Sequence, residues 1–87
     1  MYIPIGGDMS LRSETIIAIF DLDNASWSYK TREFLRRAEE NGEVVPITDE
    51  LPKTMILTRE MGLDRVWLSQ FGVTTLQKRM EKGEAHG

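Results

Sequence analysis

Thr54-Met55-Ile56-Leu57-Thr58 and Arg65-Val66-Trp67-Leu68-Ser69 flank Glu60-Met61-Gly62-Leu63-Asp64. Both flanking runs are rich in β-branched and aromatic residues, and a glycine sits in the short gap between them. That pattern predicts a β-hairpin, so the strands here are expected to be antiparallel neighbours. Upstream, Thr15-Ile16-Ile17-Ala18-Ile19-Phe20 is the most strand-like run in the chain. It does not alternate with polar residues. A run of this kind is covered on both faces, or on one face by its own domain and on the other by a partner. Tyr2–Ile5 reads as a short strand limited to an edge or an end by Pro4, and Gly6-Gly7-Asp8 turns the chain into a second short strand at Met9–Leu11.

Two helices complete the pattern. Ser26 stands as an N-cap before Trp27, Thr31, Phe34, Leu35 and Ala38, which recur at helical spacing, and Asn41-Gly42 closes the run. Val44–Ile47 is a short extended piece carrying Pro46, which again points to an edge. Thr74, three residues before Gln77, has capping-box spacing for a final helix with Val73, Leu76 and Met80 along one side. Gly83 is expected to end it. The order is β-β-β-α-(β)-β-β-α, which predicts a small α+β domain with a mainly antiparallel sheet and two helices. One domain is expected over 1–82, with 83–87 as a frayed tail.

Composition excludes several classes. The chain has 87 residues, of which 40% are hydrophobic and 29% charged, a soluble globular composition. No apolar run approaches the ~20 residues a membrane helix needs. No basic segment followed by an apolar one opens the sequence, so a cytoplasmic location is expected. With no cysteine there is neither a disulfide framework nor a thiolate site. Eleven basic residues against fourteen acidic ones give a net charge of −3, unlike a typical duplex-DNA binder. The basic residues are nonetheless clustered: Lys30, Arg32, Arg36 and Arg37 in one place, Lys78, Arg79 and Lys82 in another. Solvated helix faces explain such clusters most simply. The sharper reading is two weak basic patches that become one groove when subunits assemble.

Chemical motifs are sparse. Ala18-Ile19-Phe20-Asp21-Leu22-Asp23 has the strand-Asp-x-Asp form of the first motif of haloacid-dehalogenase-type phosphatases, but Asn24-Ala25-Ser26 replaces the small Gly-Thr step that follows there. Charge near a helix start accounts for both aspartates without catalysis. The same segment lacks the glycine and the twelfth-position acid of a calcium loop. His86 stands alone, with no partner for a triad or a metal. Gly6-Gly7 is a turn and not a phosphate cradle. Trp27 and Phe34 belong to the apolar stripe of a helix, whereas Trp67, in a strand near Arg65, is open to facing a partner. No enzyme, cofactor, metal or small-molecule substrate is expected.

The order and spacing of Met1-Tyr2-Ile3 with Gly6, Ile16–Asp21, Phe34-Leu35, Val44-Val45-Pro46, Pro52-Lys53-Thr54 and Thr75–Arg79 resemble the RemB branch of bacterial extracellular matrix regulators. The resemblance runs from Met1 to about Met80. Its related RemA branch acts as a cytoplasmic, ring-forming DNA-binding regulator of biofilm matrix genes, so the resemblance implies self-association and duplex DNA as a partner. Two places that hold arginines in the RemA branch hold Thr15 and Glu50 with Leu51 here. DNA contacts are accordingly expected at Arg12, Lys30, Arg32, Arg36, Arg37, Lys53, Lys78 and Arg79, and subunit contacts at Ile17, Ile19 and Trp67. An oligomeric protein-interaction module that does not touch DNA is the alternative. Small size adds a physical motive for assembly, because two short helices cannot easily cover the apolar surface of Ile16–Phe20 and Val66–Leu68.

Overall fold

The computed structural model describes the backbone of residues 1–22 and 29–86, with side chains described as far as 81. Ser26 and Trp27, the expected cap and first turn of the central helix, lie outside the described residues, as does Asp23. The elements are β1 (Tyr2–Gly6), β2 (Met9–Arg12), a 3-10 turn at Ser13–Thr15, β3 (Ile16–Asp21), α1 (Tyr29–Glu40), β4 (Val44–Pro46), β5 (Thr54–Glu60), β6 (Leu63–Ser69) and α2 (Val73–His86). This is an α+β domain. β1 and β2 form a two-stranded antiparallel ribbon, and the other strands form a four-stranded sheet in the order β3-β5-β6-β4.

The β5–β6 hairpin is the spine of that sheet. Seven Cα pairs run from Thr54↔Ser69 to Glu60↔Leu63. The connection is only Met61-Gly62, shorter than the five residues expected from sequence, and both have positive φ, 53° and 78°. A two-residue turn with both φ positive matches the right-handed twist of the strands it joins. β3 lies antiparallel beside β5, with a register shift between Ile16 and Ala18. β4 lies on the other side of β6 as the one parallel pair.

Side chains alternate between the two faces of this sheet. On one face Ile56 joins Ile5, Leu11 and Leu76 in a buried cluster, with Ile16, Ile19, Ile47, Trp67 and Phe71 packed around it. This face is covered by the β1–β2 ribbon and α2. On the other, Met55 and Val66 meet Ala38 of α1, flanked by Phe20, Leu35, Val44, Leu57 and Leu68. Buried hydroxyls lock the ribbon and the β6–α2 connection in place. Ser69 Oγ donates to the Ile5 carbonyl and accepts from the Phe71 N–H, and Thr54 Oγ1 donates to the Phe71 carbonyl at 3.1 Å. At Gly6, φ is 132°, and a Cβ there would stand 2.4 Å from the Gln70 side-chain oxygen, so only glycine fits without displacing Gln70.

Ile16–Phe20 packs to both faces of the sheet, Ile16 and Ile19 in one cluster and Phe20 in the other, and as an edge strand it leaves Ile17, at the register shift, 52% exposed. One expectation is corrected. The last helix does not stop at Gly83 but continues to His86, since a glycine inside a helix costs about 1 kcal/mol and does not by itself end it. A substitution pair separates the buried spine from this edge. Ile56→Ala should cost about 2–5 kcal/mol in urea unfolding, whereas Ile17→Ala should stay within about 0.5 kcal/mol. Equal costs at the two positions would contradict the layering.

Candidate functional site

Where the β1–β2 ribbon meets the turn end of the β5–β6 hairpin, the sheet face is left uncovered. The result is a cleft of about 430 Å³. Leu11 and Trp67, with the buried threonines Thr15 and Thr58, make up its floor, Tyr2 and Met9 of the ribbon and Met61 and Leu63 of the hairpin line it from the two sides, and the charged Arg12, Glu60 and Arg65 complete it. The Trp67 indole N–H donates to Thr58 Oγ1 at 2.9 Å, which fixes the ring in the floor. Buried Thr15 donates to the Arg12 carbonyl at 2.7 Å and holds the strand end that carries Arg12. Around this cleft the chain exposes much of its large apolar surface: Met61 is 95%, Tyr2 67% and Leu63 61% accessible. An apolar patch of this kind around a concavity marks an interaction site. The sheet face explains why Trp67 lies there, but Met61 gains nothing from packing, and a methionine at φ 53° is an unfavoured choice for a turn.

The charges on the rim are uneven. Arg12 bridges Glu14 at 3.3 Å and Glu60 at 3.6 Å, tying the end of β2 to the tip of β5. Arg59 takes Asp64 in a two-pronged pair at 2.6 and 3.1 Å, and its hydrogen bonds hold the Asp64 carboxyl below its ordinary range. Arg65 is exposed and has no carboxylate partner among the described residues. Asp64 beside it and Glu60 on the same rim are engaged by Arg59 and Arg12, and Glu43 shares a hollow with it without an ion pair.

The expected DNA-contact residues are dispersed. Lys30, Arg32, Arg36 and Arg37 ride on α1, on one face of the sheet; Lys78 and Arg79 ride on α2, on the other. One subunit therefore does not merge the two helical clusters into a single groove. Arg36 pairs with Glu33 and Glu40, and Arg37 stands 3.8 Å from Glu33. Arg79 lies over the Phe71 ring at 4.4 Å and donates to the Pro4 carbonyl at 2.9 Å, so it serves the fold. Lys30, Lys53 and Lys78 are exposed and make no ion pair among the described residues. Lys53, just before β5, and Lys30, which lines a hollow with Phe20 and Met55, share one end of the sheet.

Of the expected subunit contacts, Ile17 is exposed at the sheet edge and Trp67 is reachable in the cleft floor, while Ile19 packs into the core. Sequence reasoning missed Arg65, Met61 and Leu63 as a group. The signal that could have found them is their placement around a two-residue turn, which puts all three at one tip. Asp21 closes β3 opposite Thr54. Among the described residues no three His, Cys, Asp or Glu side chains gather as a metal would require, and no helix is long and apolar enough to cross a membrane.

Glu14 reports on the end of this cleft. The Met1 amino group donates to it at 3.0 Å, Ser13 Oγ at 2.9 Å, and Arg12 stands beside it; together they bring its carboxyl from an ordinary 4.5 down to about 2. A carboxyl depressed on folding adds stability above its unfolded value and loses it as the pH falls toward the folded one. Glu14→Gln should melt below the wild type at pH 7. The gap should close as the pH falls from 4.5 to about 2, and thermal melts that keep a constant gap across that range would refute the assignment.

Against this geometry, the comparisons with known proteins are specific. The sequence profile of the RemA-like family, described as extracellular matrix regulatory protein A-like, matches residues 2–80. Extracellular matrix regulatory protein B of Bacillus subtilis (strain 168) is 31% identical over 81 residues, spanning 93% of this chain and 91% of that protein.

Proposed function

The chain belongs to the RemA-like family of extracellular matrix regulatory proteins, and on that premise we propose that it is a cytoplasmic, self-assembling regulator that grips duplex DNA by its phosphates. The observation that carries this reading is a set of lysines that the fold leaves without ion pairs. Lys30, Lys53 and Lys78 are exposed without ion-pair partners among the described residues, whereas Arg12, Arg36 and Arg37 are held by carboxylates. Three lysines on a subunit of net charge −3 are too few to hold DNA alone. Repeated around an assembly they act together, because each further contact is made at high effective concentration. No bond is made or broken in this activity; the subunit places charge, and assembly sets the spacing.

A second reading has its own support. So many arginines are spent within the chain that an oligomeric protein-interaction module, without direct DNA contact, accounts for the same surface. Salt dependence separates the two. Measured by fluorescence anisotropy on a labelled duplex at 50 to 200 mM salt, log affinity should fall linearly with log salt, by about 0.9 for each phosphate contact. Lys53→Gln should reduce that slope by about 0.9 for every subunit touching the duplex. Absence of binding at the lowest salt, by folded and assembled protein, would reject DNA as the partner and leave the interaction module.

A further inference from the structure

We propose that the cleft floored by Leu11 and Trp67 is the socket for the Asp49-Glu50-Leu51 loop of a second copy, so that subunits join head to tail. This rests on the self-assembly proposed above and names the surfaces that perform it.

The loop has what the cleft lacks. Leu51 is 88% exposed, an apolar side chain held fully in water. Asp49 and Glu50 beside it are exposed and make no ion pair among the described residues. The loop is nevertheless pinned on both sides. The Glu50 N–H donates to Thr48 Oγ1 at 3.0 Å, and the Lys53 N–H to the Ser69 carbonyl at 2.8 Å. Pro52 between them fixes its own φ. A leucine presented on a short, anchored loop loses little conformational freedom on docking.

The cleft in turn offers an apolar floor large enough for a leucine and one unpaired cation on its rim, Arg65. Leu51 matches the floor formed by Leu11 and Trp67. Asp49 and Glu50 match Arg65, whose neighbours Asp64 and Glu60 are already paired with Arg59 and Arg12, while Glu43, which lines a neighbouring hollow with Arg65, makes no ion pair with it. Among the described residues neither the loop acids nor Arg65 form an ion pair within the chain. The loop precedes β5 and the cleft surrounds its far end, and seven residues of strand separate them by about 20 Å at ~3.3 Å per residue. Complementary surfaces at opposite ends of one subunit make a heterologous contact, which closes into a ring when the rotation per subunit allows and otherwise runs on as a filament.

The test is molar mass by light scattering on the full chain, with circular dichroism as a check on folding. Glu50→Lys and Arg65→Glu, both at exposed positions, should each lower the mass. Combining them in one chain, or mixing the two variants in equal amounts, should restore it, since the charges at every junction are again opposite. Leu51→Lys should raise the concentration needed for assembly by roughly 10- to 100-fold, the worth of burying one leucine. If the wild type is multimeric and these variants keep its mass, the socket is wrong while self-assembly stands, and the cleft belongs to some other occupant. If the wild type is itself a 10.0 kDa particle, self-assembly fails and the socket falls with it. Loss of mass in the single variants without restoration in the pair would also overturn the proposed contact.

Discussion

A four-stranded sheet has two faces, and this chain must cover both from a small stock of elements. β5 supplies the demand: Thr54, Met55, Ile56 and Thr58 are all buried, with consecutive side chains pointing to opposite faces. The ribbon and α2 answer on the Ile56 side, and the 12-residue helix α1 on the Met55 side. A chain of this length buries only about 60–65% of the surface it exposes when unfolded. The covers therefore run out before the sheet does. They run out at the hairpin tip, where the ribbon no longer reaches, and at the β3 edge, where Ile17 faces outward.

What is left uncovered is organised. Much of the apolar remainder gathers at one end around a cleft, Ile17 lies at the β3 edge, Tyr29 and Phe34 are exposed on α1, and Leu51 projects from the loop before β5. The electrostatics follow the same division. Arginines are largely used inside the subunit, bracing α1 or tying strand ends together, whereas the unpaired cations are mostly lysines on the periphery. Surface pairs of this kind are worth at most about 1 kcal/mol each, so they steer geometry more than they stabilise it. If Asp49 and Glu50 are spent against Arg65 of a neighbouring copy, the local field around Lys53 becomes more positive. Lys30 and Lys53, at the same end of the sheet, then flank each junction. Assembly and charge presentation would be one event, which reconciles an acidic chain with the proposed phosphate-binding role.

The architecture was legible from the sequence wherever a local pattern decided it. The hairpin, the edge position of Val44–Pro46 and the two helices follow from side-chain periodicity, glycine and proline. The length of the hairpin turn did not, because Met61 in a left-handed conformation breaks the usual rule that Asn, Asp or Gly fills that place. The reading of Ile16–Phe20 left open what covers it for a related reason: an apolar run states that burial is wanted, not which element provides it. The site was half legible. Trp67 beside Arg65 was noticed, but the cleft depends on β1–β2 packing across the sheet onto β5–β6, and no spacing in the sequence announces contacts between Leu11 and Trp67. Whether an arginine is free or engaged is equally invisible until its carboxylate neighbours are in place, as Arg36 and Arg65 show.

In the proposed assembly the uncovered end of one subunit is covered by the opposite end of another. The chain has no cysteine of its own, so disulfide trapping tests this directly. With Leu51→Cys and Leu63→Cys in one chain, mild oxidation of the assembled protein should give covalent species extending past the dimer on a non-reducing gel, the mark of a head-to-tail contact. Material that stays monomeric, or stops at the dimer as a two-fold contact would, contradicts it.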